Sequence, residues 1–185
     1  MKLLVAALAI ELDAFPESIE EFDRLVTGAG KLRAGLELTR ALERGTYDEV
    51  VVLGTAGSVG GRVPLGIYDI SEAIQHDVAD LEGVRGKSMV VPERVSTGRE
   101  GLVIATGDVF VQSQEQVDLI VSLGGSLVDM ETYVYIWVAQ QYGVPIRVVK
   151  SVSDSAEDGA IHDWRSRVVQ CSGELWEWFQ AEYAV

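Results

Sequence analysis

The stretch that decides the fold is Ile146–Asp154, which reads IRVVKSVSD. Its apolar first half is typical of a buried strand in a parallel sheet. Its second half ends in small polar residues and a carboxylate, Asp154. Because open α/β sheets bind ligands at the carboxyl ends of their strands, we expect this polar half to face a ligand.

Four other apolar runs along the chain end in the same way. One stops at Glu11, and the others stop at 54–57 (GTAG), 106–108 (TGD) and 129–131 (DME). If all five runs are strands of one sheet, their polar ends are expected to meet at one site.

Helical spacing of apolar residues separates these runs. It predicts helices at 31–44, 115–123 and 131–142 and in the tail from residue 163. Segment 19–25 is expected to be either a short helix or an edge element of the sheet. Segment 88–91 is expected to be a short strand. Strands that alternate with helices predict an α/β protein, here a three-layer α/β/α sandwich around a mixed, largely parallel central sheet. The 185 residues favour a single domain, 1–185.

The overall charge argues against several classes of partner. Acidic residues number 29 and basic residues 15, which gives a net charge of −14. Such a surface repels nucleic acid and anionic lipid, so we expect neither as a partner. No apolar run approaches the length that spans a bilayer. The only cysteine is Cys171, so an internal disulfide is excluded and a cytoplasmic location fits.

Metal and cofactor signals are weak. Neither histidine, His76 or His162, has Cys, Asp or Glu at metal-ligand spacing, so we expect no metal and no cofactor. The bend at 28–30 (GAG) opens a helix, and its N–H groups are able to hold ligand oxygens. Most such bends, however, are ordinary helix starts.

Several motifs in register point to one family. They are Glu11, GAGK at 28–31, GTAG at 54–57, GDVF at 107–110, VDME at 128–131 and SD at 153–154. This combination resembles the purine nucleoside phosphorylase and nucleosidase superfamily, and within it the nucleosidases of 5′-methylthioadenosine and S-adenosylhomocysteine. The resemblance runs from Met1 to about Gln180. Thr55, Asp129 and Lys150 stand where that family usually has serine, glutamate and arginine.

The resemblance implies two catalytic residues. Asp154, oriented by Ser153, would protonate the departing purine as the bond from base to sugar breaks. Glu11 would orient and deprotonate the attacking water, with Thr55 and Lys150 holding the water or Glu11. Helix capping is the alternative role for Asp154.

The same resemblance implies how the substrate is held. Glu131 would accept both sugar hydroxyls while Met130 packs on the sugar ring. Phe110 would stack on the purine, whose edge is read by backbone groups near Val111. The predicted binding set is completed by Ala56, Gly57, Asp129 and Trp164. The alternatives are a helix-start charge for Glu131, core packing for Phe110 and a helix-face position for Trp164.

We therefore expect a purine nucleosidase, a hydrolase that works as a homodimer. Two alternatives stay open at the level of sequence. A phosphorylase would need arginines to grip phosphate, and around the bend at 28–30 none is suitably placed before Arg33, inside the helix. A non-catalytic nucleoside-binding relative would bind the same ligand without cleaving it.

Overall fold

The structure is a computed structural model that describes residues 1–154 and 164–185, apart from the side chains of Asp154 and Trp164. The strands in this part of the chain are β1 Lys2–Ala6, β2 Phe22–Val26, β3 Glu49–Ser58, β4 Ile67–Gln75, β5 Arg94–Ser96, β6 Leu102–Thr106, β7 Leu127–Asp129 and β8 Ile146–Asp154. The helices are α1 Lys31–Arg44, α2 Gln114–Ser122, α3 Thr132–Tyr142 and α4 Trp164–Tyr183. Short 3-10 turns cover Ala9–Leu12 and Val59–Gly61.

Five strands pair around a closed circuit. β3 lies parallel to β8, β8 antiparallel to β4, and β4 parallel to β6. β7 completes the circuit, because it lies parallel to β6 and antiparallel to β3, with Gly57 opposite Val128. β1 and β2 extend the sheet from β3 as parallel strands, and β5 borders β4.

The closure brings strand ends together by two routes. Since β7 runs antiparallel to β3, its carboxyl end at Asp129 points back along β3 toward Thr55. β8 runs with β3, and its last residue, Asp154, pairs opposite Gly57. The predicted α/β class and mixed sheet are confirmed. The three-layer sandwich and the largely parallel sheet are not, because the sheet closes on itself and its strands run in both directions.

Strand alternation divides the core between two faces of the sheet. On one face, α1 and α3 pack over side chains such as Val52 and Val148. On the other face, α4 buries Phe179 with Leu53 and Val149. The period-two pattern of the central strands therefore decides which helix each residue meets.

Two local predictions are settled by tertiary pairing. For segment 19–25, the sequence left a short helix and an edge element open. The structure shows the edge element, because the whole of β2 pairs with β1. The strand predicted at 88–91 is wrong, and the strand in this region is β5 at Arg94–Ser96. Val90 is 90% exposed, whereas Val95 is buried where β5 pairs with β4.

Candidate active site

Glu11 is held in one orientation by three hydrogen bonds. It lies in the 3-10 turn after β1 and is 3% exposed. Its Oε1 accepts from the Thr55 N–H at 2.8 Å and from the Thr55 hydroxyl at 3.0 Å. Its Oε2 accepts from the Leu8 N–H at 2.9 Å. A buried carboxylate with three donors is stable in place and fixed in direction.

Lys150 approaches this carboxylate over Gly54. A Cβ atom at position 54 would lie 2.9 Å from Glu11 Oε1 and 3.2 Å from Lys150 Nζ. A side chain there would therefore crowd both charged groups. Lys150 Nζ pairs with Asp129 Oδ2 at 3.0 Å, and both side chains are 3% exposed. Burial opposes the charge of Lys150, but Asp129, Glu11 and Glu131 outweigh it and raise its pKa.

Asp129 is fully engaged in holding strand ends together. Its Oδ1 accepts from the Thr106 hydroxyl at 2.7 Å, at the end of β6. Its Oδ2 accepts from the Thr132 N–H at 3.0 Å, at the start of α3, in addition to its ion pair with Lys150. These contacts fix the chain on both sides of Met130.

Glu131 directly precedes α3 and is 5% exposed. Its Oε1 accepts from the Gly30 N–H at 2.7 Å. Burial, followed by repulsion from Asp129, raises the pKa of Glu131 to about 7, despite the opposing charge of Lys150. Near neutral pH both the ionised and the protonated form of this carboxyl group are therefore populated.

Three charged residues, Lys31, Asp77 and Asp108, fix the start of α1, and we call them the α1 clamp. Asp108 Oδ1 accepts from the Lys31 N–H at 2.9 Å, and Lys31 Nζ meets Asp77 Oδ1 at 2.7 Å. Asp77 Oδ2 in turn accepts from the Asp108 N–H at 2.7 Å. Gly30, whose N–H reaches Glu131, directly precedes Lys31, so the clamp also sets the position of that contact.

A cavity of about 180 Å³ joins these groups. The predicted site residues that line it are Glu11, Thr55, Ala56, Gly57, Phe110, Val111, Asp129, Met130, Glu131 and Ser153. Phe110 is 59% exposed and Val111 is buried. Ser153 is buried, and its hydroxyl lies 3.4 Å from the Ala56 carbonyl oxygen.

Three predicted site residues stand apart from this lining. Lys150 lies behind the cavity wall in its ion pair with Asp129. The side chains of Asp154 and Trp164 lie outside the described residues, and so does His162. The backbone of Asp154 is described, opposite Gly57 at the end of β8.

The cavity also has lining residues that sequence reasoning missed: Ala7, Leu8, Ala29, His76, Gly107, Val109 and Val128. Ala29, Gly107, Val109 and Val128 lie inside the recognised motifs, so their neighbours in the sequence pointed to them. His76 had no such signal, because a lone histidine after a strand has no distinctive spacing.

Within residues 1–154 and 164–185, no group of three or more His, Cys, Asp or Glu side chains is placed to hold a metal ion. In the same residues, no helix is both long enough and apolar enough to cross a membrane.

Comparison with known proteins identifies the sequence family. The sequence model of the phosphorylase superfamily matches residues 25–180. An aminodeoxyfutalosine nucleosidase of Helicobacter pylori (strain ATCC 700392 / 26695) is 33% identical over 156 residues, which is 71% of this chain and 66% of the relative. A 5′-methylthioadenosine/S-adenosylhomocysteine nucleosidase of Oceanobacillus iheyensis is 28% identical over 155 residues, 71% of this chain and 67% of the relative. The chain thus spans about two thirds of the length of these relatives.

Solved structures show the same fold. The 5′-methylthioadenosine/S-adenosylhomocysteine nucleosidase of Helicobacter pylori superposes with a TM-score of 0.84 at 21% identity, covering 97% of this chain and 96% of that one. Futalosine hydrolase of Helicobacter pylori strain 26695 superposes with a TM-score of 0.83 at 21% identity, and the match covers 94% of this chain and 92% of that one. At this identity the likeness concerns the fold.

Proposed function

Since the chain belongs to the phosphorylase superfamily, we propose that it is a purine nucleosidase, which hydrolyses the bond between purine and ribose. The observation that supports this most is the convergence of Glu11 and Glu131 on one cavity at the end of β8. The relatives named above are nucleosidases, so 5′-methylthioadenosine, S-adenosylhomocysteine and aminodeoxyfutalosine are the first nucleosides to test.

In the proposed reaction, Glu11 orients the attacking water. The water oxygen bonds to the anomeric carbon of the ribose while Glu11 takes a proton from it. The three donors on Glu11 hold the carboxylate still, which is the arrangement a general base needs. Asp154 donates a proton to the purine as the carbon–nitrogen bond breaks, with Ser153 orienting it. Asp154 must stay protonated until that step, which requires a raised pKa.

Glu131 binds the sugar in this proposal. A carboxylate accepts two adjacent hydroxyls at once, and Met130 packs beside it on the ribose ring. Phe110 stacks on the purine, and backbone groups at Val111 read its edge. Thr55 and Lys150 act through Glu11. Trp164, at the start of α4, completes the substrate site.

The lining charges favour water over phosphate as the nucleophile. Among the described residues, the cavity wall includes the carboxylates Glu11, Asp129 and Glu131 and no lysine or arginine. Lys150, behind the wall, is already paired with Asp129. A phosphate dianion entering this space would meet negative groups without a compensating cation.

Phosphate dependence tests this choice directly. We expect release of free adenine from 5′-methylthioadenosine at the same rate with and without inorganic phosphate, measured by chromatography. The sugar product should be free methylthioribose in both cases. Base release that requires phosphate, with a sugar 1-phosphate as product, would establish a phosphorylase instead.

We infer four further properties from the family and the composition. The protein would be a cytoplasmic homodimer without a cofactor, and residues 1–185 would form one domain. The helices on opposite faces of the sheet are compatible with a three-layer arrangement around the strand circuit. Light scattering coupled to size-exclusion chromatography tests the dimer, for which we expect twice the 20.1 kDa chain mass.

A further inference from the structure

A pair of buried hydroxyl groups lies one helical turn from Glu131 and has no role in the reaction above. Tyr135 is in the first turn of α3 and is fully buried, and Thr27 directly precedes the bend at 28–30 and is 5% exposed. Their hydroxyl oxygens lie 2.5 Å apart. The pair therefore joins α3 to the bend, although the two residues are 108 positions apart in the chain.

The hydrogen bonds of this pair run in one direction. The Thr27 hydroxyl donates to the Gly28 carbonyl oxygen at 3.0 Å. A hydroxyl has a single proton to donate, so the Tyr135 hydroxyl is the donor in its contact with Thr27. Burial raises the pKa of Tyr135 against the effect of the Thr27 hydrogen bond, and the charge of Glu131 adds to the rise. The phenol therefore keeps its proton and stays a donor.

These contacts form a closed loop between α3 and the bend. The Gly28 carbonyl group, which accepts from Thr27, belongs to the peptide unit just before the one that carries the Gly30 N–H. That N–H donates to Glu131 Oε1 at 2.7 Å. The Tyr135 N–H donates to the Glu131 carbonyl oxygen at 3.1 Å, which closes the loop. Both ends of the bend are thus attached to the start of α3.

The bend depends on such attachments because its own backbone is permissive. Gly28 and Gly30 adopt φ angles of +83° and +95°, which glycine reaches without steric cost. The Gly28 N–H is tied to the Ala7 carbonyl oxygen at 2.9 Å, and the α1 clamp begins at Lys31. Between these anchors, the Thr27 hydroxyl holds one side of the bend and Glu131 holds the other.

The position of the Gly30 N–H matters for the charge of Glu131. Charged groups face Glu131 from three other elements: Asp129 on β7, Lys150 on β8 and Glu11 in the 3-10 turn. Burial and the two carboxylates oppose ionisation of Glu131, whereas Lys150 and the Gly30 N–H favour it. A bend that moves the N–H away therefore removes one of two favourable interactions.

We propose that Tyr135 is a positioning residue of the sugar site, which acts through Thr27 to keep the Gly30 N–H on the Glu131 carboxylate. Neither Tyr135 nor Thr27 lines the cavity, so the pair acts on the substrate only through Glu131. The inference rests on the proposed function, because it takes Glu131 to bind the ribose of a nucleoside.

Carboxyl NMR of the ligand-free full chain measures the titration of Glu131, and Glu131→Gln identifies its signal. Tyr135→Phe keeps the ring and removes the hydroxyl. We expect it to raise the pKa of Glu131 by about one unit from about 7, because the contact that favours the ionised form weakens. Thr27→Val should give the same rise. The double variant should give no more than either single variant, since both break one chain of hydrogen bonds.

Calorimetric titration with 5′-methylthioadenosine on the Asp154→Asn background measures the consequence for binding. At pH 6, Tyr135→Phe should bind the nucleoside about tenfold more weakly than the parent, because a smaller fraction of Glu131 is ionised. At pH 9 the two should agree within about twofold, because Glu131 is ionised in both. A residue that only stabilises the core would not produce this dependence on pH.

Two control variants separate the hydroxyl chain from other effects. Thr27→Ser keeps the hydroxyl and should retain the Glu131 pKa of the parent. Tyr142→Phe removes a phenol hydroxyl at the far end of α3, where it donates to Glu43 at 3.3 Å, and should change neither pKa nor binding. An unchanged Glu131 pKa in Tyr135→Phe, or an equal shift in Tyr142→Phe, would overturn the proposal. If Tyr135→Phe does not fold, as judged by its melting transition, Thr27→Val compared with Thr27→Ser decides in the same way.

Failure of the proposed function gives a different pattern. If Tyr135→Phe raises the pKa of Glu131 but the wild type releases no adenine, the nucleosidase function is refuted and the positioning of Glu131 stands. If the wild type releases adenine and the pKa of Glu131 is the same in both proteins, only the positioning role is refuted.

Discussion

Glu131 is the residue whose chemistry should depend most strongly on pH. Its pKa is raised to about 7, first by burial and then by Asp129. To accept two sugar hydroxyls the group must be ionised, so a bound nucleoside favours loss of the proton. Affinity should therefore approach its full value at about pH 8 and fall as the pH decreases through 7. Only about a tenth of the protein is binding-competent at pH 6, so we expect affinity about tenfold weaker than at pH 8.

Calorimetry on the Asp154→Asn background measures this effect. Titrations at pH 6 and pH 8 give the affinities, and buffers of different ionisation enthalpy report the released proton. Glu131→Gln is the control, in which the dependence on pH across this range should disappear. Equal affinity at both pH values, with no proton released, contradicts the role given to Glu131.

Among single residues, the sequence correctly predicted cavity-lining positions that lie in a recognised motif. Glu11, Thr55 and Glu131 follow apolar runs, and the structure brings all three to one cavity. The place of His76 in the cavity wall was not predicted. It depends on the packing of its ring against Gly107, which follows a different strand. No local pattern encodes such a contact.

At the scale of elements, the α1 clamp connects the start of α1 to the end of β4. The Lys31–Asp77 pair is largely buried, with side-chain exposures of 18% and 10%. We expect Asp77→Asn to lower the free energy of unfolding by about 1–2 kcal/mol, because it weakens hydrogen bonds to a charged group. It should also weaken nucleoside binding, since Gly30 loses its fixed position. Urea unfolding followed by tryptophan fluorescence and calorimetric titration measure the two effects.

Glu37→Gln is the matched control for this prediction. It breaks the exposed pair between Glu37 and Arg40 on the same helix. Exposed pairs contribute about 0–1 kcal/mol, and this one lies away from the cavity lining, so binding should stay unchanged. If Asp77→Asn costs no more than Glu37→Gln in either measurement, the clamp does not position the site.

The elements themselves were predictable to different degrees. α1 was predicted at its observed bounds, because its apolar residues recur at helical spacing. β5 was placed too early, at 88–91, because the apolar residues there suggested burial. β5 instead forms where Arg94–Ser96 finds a partner in β4, a pairing between segments distant in the chain.

At the scale of the whole molecule, the closed strand circuit was the least predictable feature. The apolar runs predicted strands, but their neighbours depend on long-range pairing. β7 is only three residues long, Leu127–Asp129, yet its antiparallel contact with β3 closes the circuit. The expectation that strand ends converge is met, although β7 reaches the site from the opposite direction to β3.

The net charge of −14 also acts at this scale. It sets a negative field around the molecule, and the lining of the cavity carries carboxylates as well. A neutral or cationic nucleoside enters such a site without repulsion, whereas a phosphorylated one does not. Under the proposed function, the net charge and the site charges favour the same class of ligand, a nucleoside without phosphate.

The most direct test of the central claim is the rate of adenine release from 5′-methylthioadenosine by wild type, Glu11→Gln and Asp154→Asn. We predict release by wild type and a loss of at least about a hundredfold in each variant, because each removes one proton-transfer group. Nucleoside binding should stay within a few-fold of wild type. Variants that cleave at the wild-type rate, or a wild type that binds the nucleoside and never cleaves it, would contradict the account.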